Sequence, residues 1–202
     1  YELMTGLSRK LMNLCELVTC YLSKKVIPVS HEMGRVLINE RLCSPQKISF
    51  IGSGSSTGVN LTRFTRSKEN IAIGQCIREQ LGIAPNDLVI LFVGWLRKEK
   101  GINELVYAFR SLIQEYSNAH LLLLGDFELS DPIENEVHTL IEKNSYISRL
   151  SWMEDPTPVF AISDIFVLPS YSEGFPRVVL EASAMELPVV VSNIMGCREA
   201  VH

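Results

Sequence analysis

Leu88-Val-Ile-Leu-Phe-Val93 is apolar at every position, and so is Ile165-Phe-Val-Leu168. A strand with one face in water alternates apolar and polar residues, whereas one covered by helices on both faces of a parallel sheet reads as a continuous apolar run. Between these runs the apolar period changes to three and four, the spacing of a helix with one buried face. Taken in order, the pattern predicts a helix over 69–81, a strand over 88–94, a helix over 102–117, a strand over 120–124 and a helix over 132–143. A strand over 147–151, a short helix over 157–162, a strand over 165–168, a helix over 176–186, a strand over 188–191 and a helical start from Gly196 complete the series. Such βαβ repetition predicts an α/β fold with a doubly wound parallel sheet.

The first third of the chain is patterned differently. Leu3, Leu7, Leu11, Leu14 and Val18 predict an amphipathic helix over 2–22, followed by a short strand at 26–30, a helix of about ten residues from His31 and a strand at 48–51. The glycine- and serine-rich loop Gly52-Ser-Gly-Ser-Ser-Thr-Gly58 comes next, and the polar stretch 59–68 is the best boundary in the sequence. The expected division is therefore 1–60 and 61–202.

With 202 residues, 47% hydrophobic and 21% charged, the chain can bury a substantial core, which excludes disordered, collagenous and coiled-coil classes. A net charge of −4, dispersed along the chain, argues against nucleic acid as a partner. The apolar runs are well short of the ~20 residues that span a bilayer. Five cysteines without a CxxC pair suggest neither a disulfide framework nor a zinc site, and so a reducing cytoplasm. His31, His120, His138 and His202 lack ligand spacing, so no metal is expected. The opening residues resemble neither a signal peptide nor a natural start, and the expectation is a piece of a longer chain.

In a parallel sheet every strand-to-helix loop emerges at the carboxyl edge, and ligands bind outside that edge. Here those loops read Gly94-Trp-Leu-Arg-Lys-Glu-Lys-Gly101, Gly125-Asp-Phe-Glu128 and Pro169-Ser-Tyr-Ser-Glu-Gly-Phe-Pro176. Their glycines suit close backbone approach. Arg97, Lys98 and Lys100 precede one helix and Arg177 opens another, where cations oppose the helix dipole unless an anion such as phosphate is bound. Solvated surface charge is the simpler reading of any one of them. Glu173 and Glu181, eight residues apart, place one carboxylate on a loop and one along a helix, both able to accept hydrogen bonds from sugar hydroxyls. Asp126 is expected to cap the segment after it or to approach a nucleotide. Trp152 and Tyr171 are expected to pack rather than to stack on a cofactor, and Ser55 and Ser56 to serve the loop rather than to act as nucleophiles.

Glu173-Gly-Phe-Pro-Arg-Val-Val-Leu-Glu181, Val93-Gly-Trp-Leu-Arg-Lys-Glu-Lys-Gly101 and Gly52-Ser-Gly-Ser-Ser-Thr-Gly-Val-Asn60 together resemble glycosyltransferase family 4, the retaining enzymes of GT-B fold. The style of two loops is similar to bacterial capsule and lipid-linked oligosaccharide transferases. The resemblance implies two Rossmann-like domains: residues 1–60 ending the acceptor-side one, and 61–202 forming the nucleotide-sugar-binding one without its C-terminal end. It implies transfer with retention from a nucleotide diphosphate sugar, UDP first, to a saccharide or lipid-linked acceptor in polysaccharide biosynthesis, without a cofactor or metal. Lys100 and Glu173 are the implied catalytic residues. Gly94, Arg97, Lys100, Glu173, Gly174, Phe175 and Glu181 are the implied donor contacts: Lys100 on the diphosphate, the Gly174 and Phe175 amides on phosphate or sugar, Glu173 on sugar hydroxyls and Glu181 on the ribose. Trp95 stands where many relatives carry a diphosphate-binding arginine, which leaves Arg97 to substitute or the phosphate less tightly held. The implied location is the cytoplasm or the inner face of the membrane, with peripheral membrane contact through a preceding part and little activity from this chain alone. A nucleotide-sugar epimerase, a phosphorylase of similar fold and a non-catalytic nucleotide-binding module remain alternatives.

Overall fold

The computed structural model describes residues 6–52, 54 and 57–201. The loop serines Ser55 and Ser56, the first residues of the expected opening helix and His202 lie outside these. The chain forms two compact units, one of residues 1–58, 172–177 and 193–202, the other of 59–171 and 178–192.

The larger unit is built on a parallel sheet of β1 (Leu88–Val93), β2 (Ala119–Leu124), β3 (Ile147–Leu150), β4 (Ile165–Leu168) and β5 (Val189–Val191), in the order β3-β2-β1-β4-β5. The order reverses between β1 and β4, so this is a doubly wound sheet whose switch point lies at the carboxyl end of β1. Register runs Leu88 opposite Ala119 through Val93 opposite Leu124, and Leu121 opposite Ile147. Every residue of β2 is buried, and Val89, Leu91 and Phe92 of β1 are wholly inaccessible, as the continuous apolar runs require. Around the sheet lie α3 (Lys68–Gln80), α4 (Ile102–Glu115), α5 (Asn135–Lys143), α6 (Thr157–Ala161) and most of α7 (Arg177–Ala184). Ser67 starts α3 by accepting a hydrogen bond from the Asn70 amide. The helix expected from residue 132 begins at Asn135 because Glu134 is held first: its amide donates to Asn103 Oδ1 at 3.1 Å while Asn103 Nδ2 donates to its carboxylate at 3.2 Å.

His120, on the fully buried β2, is 3% exposed and meets Ser148 Oγ at 2.9 Å. Burial depresses its pKa below the ordinary value, and nearby Asp87 opposes this while Arg78 reinforces it. The unfolded chain therefore binds a proton that the folded chain refuses, so stability is complete above the unfolded pKa near 6.5 and falls as pH drops below it. Urea midpoints followed from about pH 7.5 to about pH 5 should decline, and His120→Gln should flatten that slope. Equal slopes in the two proteins would remove His120 from the account.

The smaller unit contains α1 (Gly6–Leu22), α2 (His31–Asn39) and α8 (Cys197–Ala200), with a core of Cys20, Leu37, Leu42 and Cys43 against which Val26 and Ile48 pack. Lys47 Nζ donates to the carbonyls of Cys20 at 2.9 Å and Tyr21 at 2.6 Å, satisfying the end of α1. The apolar stripe of α1 is not buried as its periodicity suggests. Leu7 and Leu11 are 83% and 61% exposed, and Cys20 is the buried residue of the helix, because a four-residue core covers only its last turn. The strands expected at 26–30 and 48–51 reduce to a single parallel bridge between Val26 and Ile48. Pro28 has no amide to extend the ladder, and Ser30 turns instead to cap α2 through the Met33 amide.

Candidate functional site

In the larger unit the loop from β1 to α4 is tied down at nearly every residue. The Leu96 amide donates to the Asp126 carbonyl at 2.8 Å and the Leu96 carbonyl accepts from Glu128, joining this loop to the one after β2. Asp131 then holds the basic turn Lys98–Lys100, its carbonyl accepting from the Lys98 amide at 3.1 Å and its carboxylate from the Glu99 amide at 2.8 Å. The Glu99 carbonyl accepts from the Tyr171 amide of the loop after β4 at 2.9 Å. Lys98 and Lys100 are thus fixed directly before α4 by four neighbouring backbone links, at the positive end of a 14-residue helix. Asp131 was not visible as a site residue in the sequence; the Ser-Asp-Pro turn that contains it was the available signal.

The glycines approach other loops. Gly101 has φ 71°, and a Cβ there would lie 2.2 Å from the Pro169 carbonyl oxygen, so the β1 and β4 loops touch at backbone level. Gly125 has φ 151°, and a Cβ there would lie 1.9 Å from the carbonyl oxygen of Gly94. Only glycine fits where two main chains come this close.

Arg97 forms an ion pair with Glu99 at 2.6 Å, half-buried on both sides, and its Nε is buried without a hydrogen-bond partner among the described residues. Its charge is therefore already partly answered within the turn. Asp126 does not cap the segment that follows it. Its carboxylate meets Arg149 Nη1 at 3.4 Å and the Trp152 amide at 3.3 Å, drawing together the loops after β2 and β3. Trp152 and Tyr171, expected to pack rather than to stack on a cofactor, are 64% and 46% exposed. The Tyr171 hydroxyl donates to Glu104 Oε1 at 2.8 Å, which supplies the polar partner that keeps the ring at the surface. Trp95 is 54% exposed, and with Trp152, Gly94, Gly125 and Asp126 it lines a cavity of about 280 Å³ at the carboxyl edge. Glu181 lies half-buried on α7, and the Glu181 carbonyl accepts from Met185 at the end of that helix.

Glu173, Gly174 and Phe175 belong to the smaller unit. The Phe175 ring lies 3.0 Å from where a Cβ on Gly54 would stand, and the carbonyls of Glu173 and Gly174 lie 2.6 and 2.5 Å from a Cβ on Gly196. Arg177 is the exposed first residue of α7. Beside this segment, Glu199 of α8 accepts hydrogen bonds from the amides of His31, at 2.7 Å, and Glu32, at the start of α2. Arg198 pairs with Glu32 through three hydrogen bonds of 3.3, 3.0 and 2.9 Å. A carboxylate at a helix N-terminus is favourable, and here it comes from a residue 168 positions away, with no local signal to announce it. The sequence-derived residues are therefore distributed: Gly94, Arg97, Lys100 and Glu181 in one unit, Glu173, Gly174 and Phe175 in the other. Among the described residues, no three His, Cys, Asp or Glu side chains gather as a metal site.

A family model described as glycosyl transferases group 1 matches residues 75–202, a span that includes β1, the basic turn, the Glu173 segment and α7. A capsular polysaccharide biosynthesis glycosyltransferase of Staphylococcus aureus is 27% identical over 201 residues, covering 99% of this chain and 51% of that protein. The Escherichia coli UDP-Gal:alpha-D-GlcNAc-diphosphoundecaprenol alpha-1,3-galactosyltransferase is 30% identical over 183 residues, covering 90% of this chain and 46% of that protein. The crystal structure of Anabaena HepE in complex with UDP shares the fold, with a TM-score of 0.80 at 23% identity, covering 98% of this chain and 52% of that one. The chain spans about half the length of the curated relatives it matches.

Proposed function

The chain belongs to the glycosyl transferases group 1 family, and from that premise we propose that it carries the donor-binding machinery of a sugar transfer from a nucleoside diphosphate sugar to a saccharide or lipid-linked acceptor. The observation that carries this reading is the basic turn Lys98–Lys100, clamped by Asp131 and by the loops after β2 and β4 against the N-terminus of α4. Cations held at a helix N-terminus stabilise charge as it develops on a leaving diphosphate, and pre-tied loops avoid the cost of organising them during reaction.

In the proposed reaction the bond from the sugar anomeric carbon to the donor phosphate breaks and a bond from the acceptor oxygen forms on the same face. The acceptor proton passes to the departing diphosphate. Lys100 meets the diphosphate, with Arg97 and the Gly94 backbone beside it. The Gly174 and Phe175 amides face phosphate or sugar, Glu173 accepts from sugar hydroxyls and Glu181 from the ribose. No cofactor or resident metal takes part. UDP is the proposed nucleotide, supported by the UDP-galactose donor in the name of the Escherichia coli relative. Polysaccharide assembly in the cytoplasm, at the membrane face where the acceptor is lipid-linked, is the proposed setting; among the described residues no helix is long and apolar enough to cross a membrane.

Calorimetry of this chain against UDP, GDP and ADP tests the reading, with UDP expected to bind most tightly. Lys100→Ala should weaken UDP by about 1 to 3 kcal/mol, the range for a hydrogen bond to a charged group, with an unchanged circular dichroism spectrum. Binding of none of the three, or equal affinity in a folded variant, would overturn it.

A further inference from the structure

The only two tryptophans in the sequence, Trp95 and Trp152, lie on different loops, 57 residues apart by number, yet both are more than half exposed and both line the same cavity. Large aromatic rings left in water at a concave site are unusual, since burying either would bring a sizeable apolar gain. The remaining lining is backbone at Gly94 and Gly125, plus Asp126, whose carboxylate is already occupied by Arg149 and the Trp152 amide. Asp126 thereby fixes the main chain that carries one indole, while the Leu96 amide bond to the Asp126 carbonyl fixes the main chain next to the other. One residue thus ties the backbones of both loops that carry the indoles.

A cavity of about 280 Å³ lies just below the ~300–1,000 Å³ typical of sites that hold a whole small molecule, so it suits one ring of a larger ligand. Its one carboxylate is engaged and its other side chains are aromatic, which favours a flat unsaturated ring over a hydroxyl-covered one. We infer that Trp95 and Trp152 hold the nucleobase of the donor by stacking, so that this cavity, and not the basic turn, supplies base-dependent affinity. The inference rests on the donor-binding reading above. It also gives Trp95 a role that the arginine-like expectation for its position does not.

Excited at wavelengths that the six tyrosines do not absorb, the chain's intrinsic emission comes from these two tryptophans and so reports on this cavity directly. Fluorescence and calorimetry are to be measured together for UDP, inorganic pyrophosphate and glucose. UDP should quench the tryptophan emission, and neither pyrophosphate nor glucose should. Trp95→Ala and Trp152→Ala should each bind UDP about tenfold more weakly, the scale of base–aromatic stacking, while Trp152→Phe keeps most of the affinity. UDP binding by calorimetry with unaltered emission and unaltered affinity in both alanine variants overturns this inference and leaves the donor-binding reading standing. Quenching by glucose equal to that by UDP overturns it in favour of a sugar subsite. Absence of UDP binding to the unaltered chain overturns both.

Discussion

Gly125→Ala is expected to destabilise the chain by roughly 3 kcal/mol or more, combining strain at a backbone conformation that suits glycine with displacement of a neighbouring main chain. The methyl group would sit 1.9 Å from the Gly94 carbonyl oxygen, far inside contact distance, and that oxygen cannot swing aside as a side-chain tip can. Gly94 follows a strand whose inner residues are inaccessible, and its amide donates to Leu124 across the sheet, so a shift there opens the end of the β1–β2 pair. Chemical denaturation should show a lower midpoint with an unchanged slope. The same substitution should alter tryptophan emission without ligand, because Gly94 and Gly125 both line the cavity that Trp95 and Trp152 share. A midpoint within error of the parent would mean that the two loops separate easily, and the tight backbone approach would then carry no stability.

Arg78→Ala is expected to cost on the order of 3 kcal/mol, from carbonyls left unsatisfied at about 1 to 3 kcal/mol each and partly relieved by water. Arg78 is 6% exposed, near the C-terminal end of α3, a position where a cation also suits the helix dipole. Its guanidinium donates to the carbonyl of Ala84 at 3.2 and 2.8 Å, to that of Asp87, and to that of Ile162 at 3.3 Å. One side chain thus joins α3, the turn leading into β1 and the end of α6. Arg78→Lys keeps the charge but cannot reproduce the planar fork that reaches three carbonyls at once, so its stability should fall between the parent and the alanine variant. Equal stability of the lysine variant and the parent would show that the charge alone suffices.

Residue type and local spacing determined the parallel sheet, because the feature that encodes it is short-range. Continuous apolar runs at 88–93 and 165–168 suit strands of a helix-covered parallel sheet, and helical periodicity between them matches the crossover connections of a doubly wound sheet. The same reasoning located the loops at the carboxyl edge, including the basic turn, since strand order and loop position follow from the βαβ unit itself. Periodicity also marked α1 as amphipathic, yet it reports only which face is apolar and not whether anything covers that face; the exposure of Leu7 and Leu11 was decided by the smallness of the surrounding core. Tertiary structure alone decided that Gly101 and Gly125 serve contacts between loops, that Asp126 ties together the loops carrying the two tryptophans, and that Asp131 braces the basic turn. It alone placed Glu199 on the N-terminus of α2, across 168 positions of sequence. Each of these depends on two segments meeting in space. A hydrogen-bond donor in one loop carries no mark of which distant carboxylate will satisfy it, because that choice is made by chain closure and packing after the local elements have formed.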